Sequence, residues 1–533
     1  MNPQLHLKPW LANWSLGLRI ALFLILLSGI VQFVAFSLNQ AYILSYFGAQ
    51  PEDITFSIQL TYVGILAMLP ILFRFVRYFE MKAILVSMLI LSIVLCIASL
   101  MTTDLIVFYI IRFFQGIVVC GIAGCVLLEI PVYIDTPEFK QAFSSSVFYG
   151  TVLSSSVLIG LVAANVELST NIIEVYSYLA LFLAFILLLV LLGFRNRTNM
   201  RRYPLYQIDW IGTCFFVLAA VCLAYTIIYG SKYYWFSDPR IRVSALLFIV
   251  GALLFVWREL TIKRPGLDLS VFKYPKFWAG ILLLASYYGM KESINLIFGY
   301  TTNILQWSPV DVMYLGLANV LGIVFFMVVT AELLARRIVT VPGFLIAGFC
   351  MMLLYHLWMY FIFTPDLAYG DLMLPMFFQG ASSGILFVPI MLLMLSSVPS
   401  TTGIAGLVIA ADVRFVSLLN ASAGFYNLQL RYNQLYKEGF LRHLTNTDEQ
   451  TTERLDVFRQ LYRSKGFSPD QANALANSSL ARSLSIQSQL LTNRAVFLYI
   501  SLIIIIILSV LMIVYCIGLY RKHRMGHLQA AAV

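Results

Sequence analysis

The chain has 533 residues, of which 61% are hydrophobic and 11% are charged, and its formal net charge is +10. Soluble domains carry roughly 25% charged residues, so this composition excludes an ordinary soluble protein and indicates a polytopic membrane protein. The basic residues lie in short segments between apolar runs, which excludes a nucleic-acid partner and is typical of cytoplasmic loops. The seven cysteines fall inside the apolar runs, so we interpret them as buried apolar residues and predict no disulfide framework or metal site.

About fourteen apolar runs are long enough to cross a bilayer, which takes roughly 20 helical residues. We predict spans at residues 18–39, 54–73, 83–101, 105–130, 142–164, 173–194, 208–230, 241–258, 277–300, 310–333, 339–362, 372–397, 403–425 and 494–519. Basic residues gather in alternate connections and in the C-terminal tail, so both termini are predicted to be cytoplasmic. The first apolar run is too long for a signal-peptide core and is predicted to be a retained span.

The fourth span carries Arg112 within the apolar run from Leu105 to Ile130. A cation at mid-bilayer costs about 3 kcal/mol or more, so it normally faces the bundle interior or a wet cavity and marks a functional site. The tetrapeptide Phe113–Gly116 recurs as Phe377–Gly380 in the twelfth span. Repeated sequence in two similar spans is typical of transporters built from two related halves.

The two glutamines of this repeat, Gln115 and Gln379, are neutral polar residues within spans. They are predicted either to hydrogen-bond a substrate or to bridge neighbouring helices, and the sequence does not decide between the two roles. The glycine that follows each glutamine is expected to permit close helix approach.

The acidic candidates within spans are Glu129, Glu292 and Asp412. Proton-coupled transport needs a titratable group whose proton affinity changes with its surroundings, as that of a carboxylate in a low-dielectric cavity does. Lys291 and Arg414 are one and two residues from an acid, so neither cation faces that acid on its own helix. We expect Asp412 or Glu292 to carry the proton, and buried ion pairs that lock helix packing are the alternative. Glu129 is the third candidate, although it lies near the cytoplasmic headgroups.

One connection, residues 427–493, is too polar to enter the membrane and is much longer than the others. Apolar residues recur in it at helical spacing. Gly466 is typical of a helix end, and Ser468–Gln471 is typical of a helix start with a capping serine and a reciprocal glutamine. We therefore predict a small helical element on the outer side, with a solvated linker as the alternative.

Arg112, Gln115 and Gly116 form an Arg-x-x-Gln-Gly pattern by which the chain resembles the major facilitator superfamily. More narrowly, it resembles the fourteen-span drug:proton antiporters of the EmrB/QacA type. Further motifs follow in the family's order, namely Arg77, Glu80 and Lys82, Asp209–Gly212, Asp268–Lys273, Phe387–Ile390, Ser397–Pro399, Arg414 and Gly466–Ala472. The chain departs from the family pattern at Gln32, which stands near an acidic position of the first span, and in the fifth span, which lacks a proline.

The resemblance implies an all-α polytopic membrane protein with the major facilitator fold. A six-helix bundle would comprise residues 1–200, two inserted helices and a cytoplasmic linker residues 201–276, and a second six-helix bundle residues 277–533. A central cavity would lie between the bundles. The candidate cavity residues are Arg112, Gln115, Gln379, Arg414, Lys291 and Gln32, and the candidate conformational loop comprises Arg77, Glu80 and Lys82.

The implied function is secondary active, proton-coupled efflux of amphipathic drugs or other lipophilic compounds across the cell inner membrane. Protons and membrane lipids would be the other partners, and the proton gradient would replace any cofactor. A dedicated exporter of an endogenous lipid or metabolite, and a membrane protein that keeps the fold without transporting, are the alternatives. The sequence contains no GxxxxGK or HExxH motif, and we expect neither a primary pump nor an enzyme.

The resemblance also implies possible partners. EmrB-like exporters of two-membrane bacteria work with a periplasmic adaptor and an outer-membrane channel. The segment 427–493 would then be the docking surface for the adaptor.

Overall fold

A computed structural model describes residues 7–38, 40–129, 150, 154–155, 157–161, 172–196, 205–263, 265–336, 338–399, 402–445 and 448–530. We number its main helices α1 (Pro9–Ala12), α2 (Ser15–Leu38), α3 (Gln40–Phe47), α4 (Pro51–Tyr78), α5 (Met81–Met101), α6 (Leu105–Glu129), α7 (Ile172–Gly193), α8 (Trp210–Tyr229), α9 (Pro239–Thr261), α10 (Pro275–Lys291), α11 (Ile294–Asn303), α12 (Pro309–Ala335), α13 (Val341–Ile362), α14 (Tyr369–Leu395), α15 (Gly403–Leu441), α16 (Glu449–Ser464) and α17 (Pro469–Ala530). Short 3-10 helices occur at Leu205–Gln207, Trp235–Ser237 and Leu269–Lys273.

Eleven helices within the described residues are long and apolar enough to cross a membrane, which confirms a multi-pass membrane protein. They coincide with eleven of the predicted spans. The first predicted span lies in α2, which contains a shorter apolar stretch at Leu16–Val31. The predicted fifth span, 142–164, lies mostly outside the described residues.

The predicted ninth span, 277–300, is not a continuous helix. α10 ends at Lys291, and α11 begins three residues later. Glu292 and Ser293 occupy the break, and Ser293 Oγ lies 3.0 Å from His356 Nε2 of α13. A helix can break inside a membrane only where neighbouring groups satisfy the freed backbone atoms. The sequence did not reveal the break, because the apolar residues on both sides of Lys291–Ser293 were interpreted as one span.

Glycine allows the backbones of α4 and α6 to touch in the N-terminal half. A Cβ added to Gly116 would lie 2.0 Å from the carbonyl oxygen of Thr61, and one added to Gly64 would lie 2.0 Å from that of Phe113. A side chain at either position would therefore force the two helices apart.

An equivalent crossing joins α12 and α14 in the C-terminal half. A Cβ on Gly380 would lie 2.0 Å from the carbonyl oxygen of Asn319, and one on Gly322 would lie 2.3 Å from that of Phe377. The two copies of the Phe-Phe-Gln-Gly motif thus mark equivalent helix crossings. This confirms that the glycine beside each glutamine permits close helix approach.

Helices α8 and α9, the inserted pair, pack against each other, and α8 also packs against α4 and α15. Asp209 begins the pair by accepting a hydrogen bond of 3.1 Å from the backbone N–H of Gly212, and it forms an ion pair of 3.0 Å with Arg258 of α9. Glu259, the next residue, accepts a 3.0 Å hydrogen bond from the backbone N–H of Leu267 in the following linker. These contacts fix the linker beside the inserted pair.

The segment 427–493 is mostly helical, which confirms the predicted helical element and makes the solvated-linker alternative wrong. Helix α15 continues into the segment for a total of 39 residues, and α17 has 62 residues. At 1.5 Å per residue these lengths are about 58 and 93 Å, whereas the hydrocarbon core is about 30 Å thick. Both helices therefore extend well beyond the membrane, and α16 packs against α17. We call residues 427–493 the projecting element.

The helix boundary predicted near Gly466 is also confirmed. Gly466 has a φ of +90°, a left-handed conformation that glycine adopts readily. Ser468 and Gln471 then form the predicted reciprocal cap. The N–H of Ser468 donates to Gln471 Oε1 at 3.2 Å, and the N–H of Gln471 donates to Ser468 Oγ at 3.4 Å.

Candidate substrate and proton site

Arg112 lies on α6 with only 1% of its surface exposed. Its Nη1 donates a 2.6 Å hydrogen bond to Oε1 of Gln115, one turn along the same helix. The Nε2 of Gln115 donates in turn to Ser99 Oγ on α5 at 3.4 Å. The arginine and the glutamine of the motif are thus held as one unit, and Gln115 links it to the neighbouring helix.

Gln379 occupies the equivalent place on α14 and is also 1% exposed. Its Oε1 accepts a hydrogen bond from Asn319 Nδ2 of α12, and its Nε2 donates to the carbonyl oxygen of Lys291 at 3.3 Å. The amide therefore satisfies a backbone group that the break after α10 leaves free. Both glutamines of the repeat bridge helices, and contact with a substrate stays a prediction.

The break after α10 brings opposite charges together. Glu292 interacts electrostatically with Lys291 and with Arg414 of α15. Its Oε2 also accepts a 2.7 Å hydrogen bond from Asn295 Nδ2. The guanidinium of Arg414 lies 5.1 Å from the centre of the Tyr288 ring on α10, a distance typical of a cation–π interaction.

Tyr62 of α4 connects this charged group to the N-terminal half. It interacts electrostatically with Glu292, with Arg414 and with Arg112. Its ring centre lies 6.0 Å from that of Phe415. We call Tyr62, Arg112, Lys291, Glu292 and Arg414 the central cluster. Four of its five members were predicted from the sequence, and Tyr62 was missed because an aromatic residue in a span is usually packing.

Asp412 occupies a different place from the central cluster. It is two residues before Arg414 on α15, so the two side chains project from different faces of the helix. Only 6% of its surface is exposed, and neither carboxylate oxygen accepts a hydrogen bond within the described part of the chain. Cys120 of α6 is an electrostatic neighbour of this carboxylate.

Asp412 lines a cavity of about 750 Å³, which we call the lateral cavity. Its walls come from the inserted pair, the linker that follows it, α10 and α15. Sequence reasoning identified the acid but not the cavity, because its walls come from α15 and from segments more than 100 residues earlier in the chain.

Comparison with known sequences finds bacterial multidrug exporters. The chain is 28% identical over 218 residues to the multidrug export protein EmrB of Escherichia coli (strain K12), which is 39% of each chain. It is 24% identical over 267 residues to EmrB of Haemophilus influenzae, 48% of each chain, and 22% identical over 290 residues to the probable multidrug resistance protein EmrY of Escherichia coli. These matches span about half or less of each relative's length. No family model matches the chain.

Comparison with solved structures covers most of the chain. A peptide transporter POT in complex with sulfate superimposes with a TM-score of 0.56 and 14% identity, over 92% of this chain and 94% of that one. The xylose transporter XylE of E. coli superimposes with a TM-score of 0.50 and 13% identity, over 78% and 91%. The chain has the major facilitator fold. Its sequence relatives are EmrB-type export proteins.

In major facilitator terms, the residues predicted for the conformational loop lie where the second span, α4, is followed by the third, α5: Arg77 is at the end of α4, Glu80 is in the connection and Lys82 is at the start of α5. Lys82 Nζ donates to the carbonyl oxygen of Leu191 on α7 at 3.2 Å, and Glu80 ends the short connection between α4 and α5. Arg74, which sequence reasoning did not select, donates to the carbonyl oxygen of Pro265 at 2.9 Å and so joins α4 to the linker after the inserted pair.

Three predicted site residues have side chains outside the described part of the structure, namely Gln32, Arg77 and Glu129. Their roles stay predictions. No group of three or more His, Cys, Asp or Glu residues able to hold a metal ion occurs among the residues described.

A second set of contacts lies near the start of α4, at the end of the helix away from Arg74. These contacts join α4, the inserted pair and α15. Tyr229 Oη donates to Asp53 at 2.5 Å, and Tyr426 Oη donates to Glu52 at 3.1 Å. Asn427 Nδ2 donates to a backbone carbonyl of α8 at 2.8 Å. We call these contacts the outer closure. They hold both halves and the inserted pair together on the side predicted to be extracytoplasmic.

Proposed function

We propose that this protein is a secondary active exporter that moves amphipathic, lipophilic compounds across the cell inner membrane in exchange for protons. The central cluster carries the proposal, because it places charges from both halves of a major facilitator fold inside the membrane. Ionisable residues buried at such depth are costly and mark substrate or ion pathways. The similarity to EmrB-type multidrug export proteins supports the same function.

Two carboxylates are available for the proton. Glu292 has two cations as neighbours, so protonation would change the charge balance of the central cluster. Asp412 is buried in the lateral cavity without a hydrogen-bond donor among the described residues. Arg112 and Arg414 would respond to the charge of these acids or contact the substrate. We propose that the basic loops and both termini face the cytoplasm, as the positive-inside rule predicts.

The experiment that tests this proposal follows a lipophilic cationic dye in proteoliposomes with and without an imposed proton gradient. Gradient-dependent dye movement by the wild type, reduced by Glu292→Gln or Asp412→Asn, is the expected result. Asp366→Asn, in the connection between α13 and α14, is the matched control and should transport normally. The proposal would be overturned if cationic, neutral and anionic amphiphiles all failed to move, both with and without the proton gradient.

We also propose that the projecting element binds a periplasmic adaptor. The element extends beyond the bilayer, and several of its apolar side chains are exposed, namely Leu435, Leu441, Val457, Leu461 and Phe467. Exposed apolar residues on a polar element are typical of a protein-binding surface.

A further inference from the structure

The lateral cavity is bounded on one side by a single face of α15. The residues that line it from this helix recur in the i, i+3, i+4, i+7 pattern, namely Ile409, Asp412, Val413, Val416, Ser417, Asn420 and Ala421. This spacing defines one stripe of a helix. Arg414, which belongs to the central cluster, is absent from the stripe. The lateral cavity and the central cluster therefore use different faces of α15.

The opposite wall is aromatic and comes from the inserted pair and its linker. The rings of Phe216 on α8 and Phe255 on α9 are 5.0 Å apart, at 36° to each other. Phe272 of the linker is held 4.9 Å from the ring of Trp278. All three phenylalanines line the cavity. Aromatic faces bind both aromatic rings and the face of a cation.

α10 leaves room between these two walls. Among the residues that the structure describes, Ala285 and Gly289 are the only ones of α10 that line the cavity, and both are small. A Cβ added to Gly289 would meet no atom within 4 Å. The cavity volume of about 750 Å³ lies within the roughly 300–1,000 Å³ typical of small-molecule sites.

Asp412 supplies the charge of this site. It is the only charged residue among those that line the described cavity, and its two oxygens accept no hydrogen bond from the described residues. A buried carboxylate is costly unless a cation or proton neutralises it. An apolar, aromatic cavity with a single carboxylate is complementary to a lipophilic molecule that carries one positive charge.

The rim of the cavity indicates the route of entry. Val256 on α9 lines the cavity, yet 44% of its surface is exposed on a helix that is apolar enough to cross the membrane. The linker residues Leu267 and Leu269 also line the cavity. A lipophilic cation dissolved in the bilayer would reach this rim directly.

We infer that the inserted pair builds the aromatic wall of a lateral binding site for a lipophilic aromatic monocation, whose charge is neutralised by Asp412. The inference rests on the proposed function for the class of substrate, and it adds the place of binding and a role for the two inserted helices. The test therefore measures binding without transport.

The experiment uses the full-length protein in lipid nanodiscs and tetraphenylphosphonium as the probe, at one fixed pH and without a gradient. Asp412→Asn should weaken binding by about tenfold or more, since the site loses the negative charge that faces the cation. Gly289→Leu should also abolish most binding, because a Cβ at this position meets no atom within 4 Å and the side chain would take up space in the cavity. One variant removes the charge and the other fills space, so the test does not depend on both variants folding.

A third variant tests the wall formed by the inserted pair. Phe255→Ala should weaken binding several-fold, whereas Leu253→Ala, two residues earlier on α9 and 65% exposed, should not. Binding within twofold of wild type in Asp412→Asn and Gly289→Leu would overturn the inference, and so would a wild-type protein that does not bind the probe. Transport driven by the proton gradient would still stand in those cases, so failure of the inference and failure of the proposed function are distinguishable.

Discussion

Gly116 and Gly380 show at the scale of single residues why the Phe-Phe-Gln-Gly motif recurs. Each glycine lies where a Cβ would be 2.0 Å from a carbonyl oxygen of the crossing helix. A backbone oxygen cannot move aside as a flexible side chain can. In membranes, small residues at such crossings allow the close packing that holds helices together.

Gly380→Ala is therefore expected to destabilise the protein. The added methyl group must push α14 away from α12, and overpacking of this kind typically costs about 1–3 kcal/mol. The thermal unfolding midpoint of the purified protein should fall by several degrees. Gly424→Ala is the matched control, because a Cβ at Gly424 would meet no atom within 4 Å. Equal midpoints for the two variants would contradict the close crossing.

Sequence reasoning was most successful where a residue's chemistry conflicts with its surroundings. Arg112, Glu292 and Asp412 were selected because a charge in an apolar span needs an explanation. The sequence did not predict which residues surround each of them, because those neighbours come from other helices. The separation of Asp412 from Arg414 followed from helix geometry, but the cavity beside Asp412 depends on how α8, α9 and α10 pack.

At the scale of helices, too, features with local signals were predicted and features that depend on distant residues were missed. The boundary near Gly466 was predicted because its signals are local, namely a glycine followed by a reciprocal Ser468–Gln471 cap. The break after Lys291 was missed because it is stabilised from a distance, by Gln379 of α14 and His356 of α13. Hydropathy alone does not distinguish a broken span from a continuous one.

The projecting element gives a prediction at this scale. Deletion of residues 440–465 removes α16 and the end of α15, but it leaves the contact in which Ser488 Oγ of α17 donates to the carbonyl oxygen of Asn433 at 3.0 Å. The bundle should therefore remain folded, while co-purification with a periplasmic adaptor should be lost. Gel filtration and thermal unfolding check the fold, and affinity purification checks the adaptor.

Two results would contradict this account of the projecting element. Retention of the adaptor after the deletion would place docking elsewhere. Loss of the folded bundle would show that α16 contributes to the stability of the membrane domain. A cap variant, Ser468→Ala, is a milder control that should keep both properties.

At the scale of the whole molecule, the outer closure and the contact between Arg74 and Pro265 hold opposite ends of the protein. Both involve α4 and the inserted pair or its linker. Alternating access in this fold requires such contacts to open and close in turn. The inserted helices therefore lie where they can respond to the relative movement of the two halves.

Tyr229→Phe combined with Tyr426→Phe should weaken the outer closure, because each loses a hydrogen bond to an acidic residue of α4. Spin labels near the starts of α4 and α9 should then show a larger population of long distances by pulsed electron resonance. Tyr233→Phe, whose hydroxyl accepts from Arg240 outside this set of contacts, is the control. Unchanged distance distributions in the double variant would contradict the role of the outer closure.

The most direct test of proton-coupled export is the proton flux that accompanies substrate. A pH-sensitive dye inside proteoliposomes would report proton movement when a lipophilic cation is added outside without an imposed gradient. The wild type should move protons in the direction opposite to the cation, and the Glu292→Gln, Asp412→Asn double variant should not. Cation movement without proton flux, or the same flux in the double variant, would contradict proton-coupled export through these carboxylates.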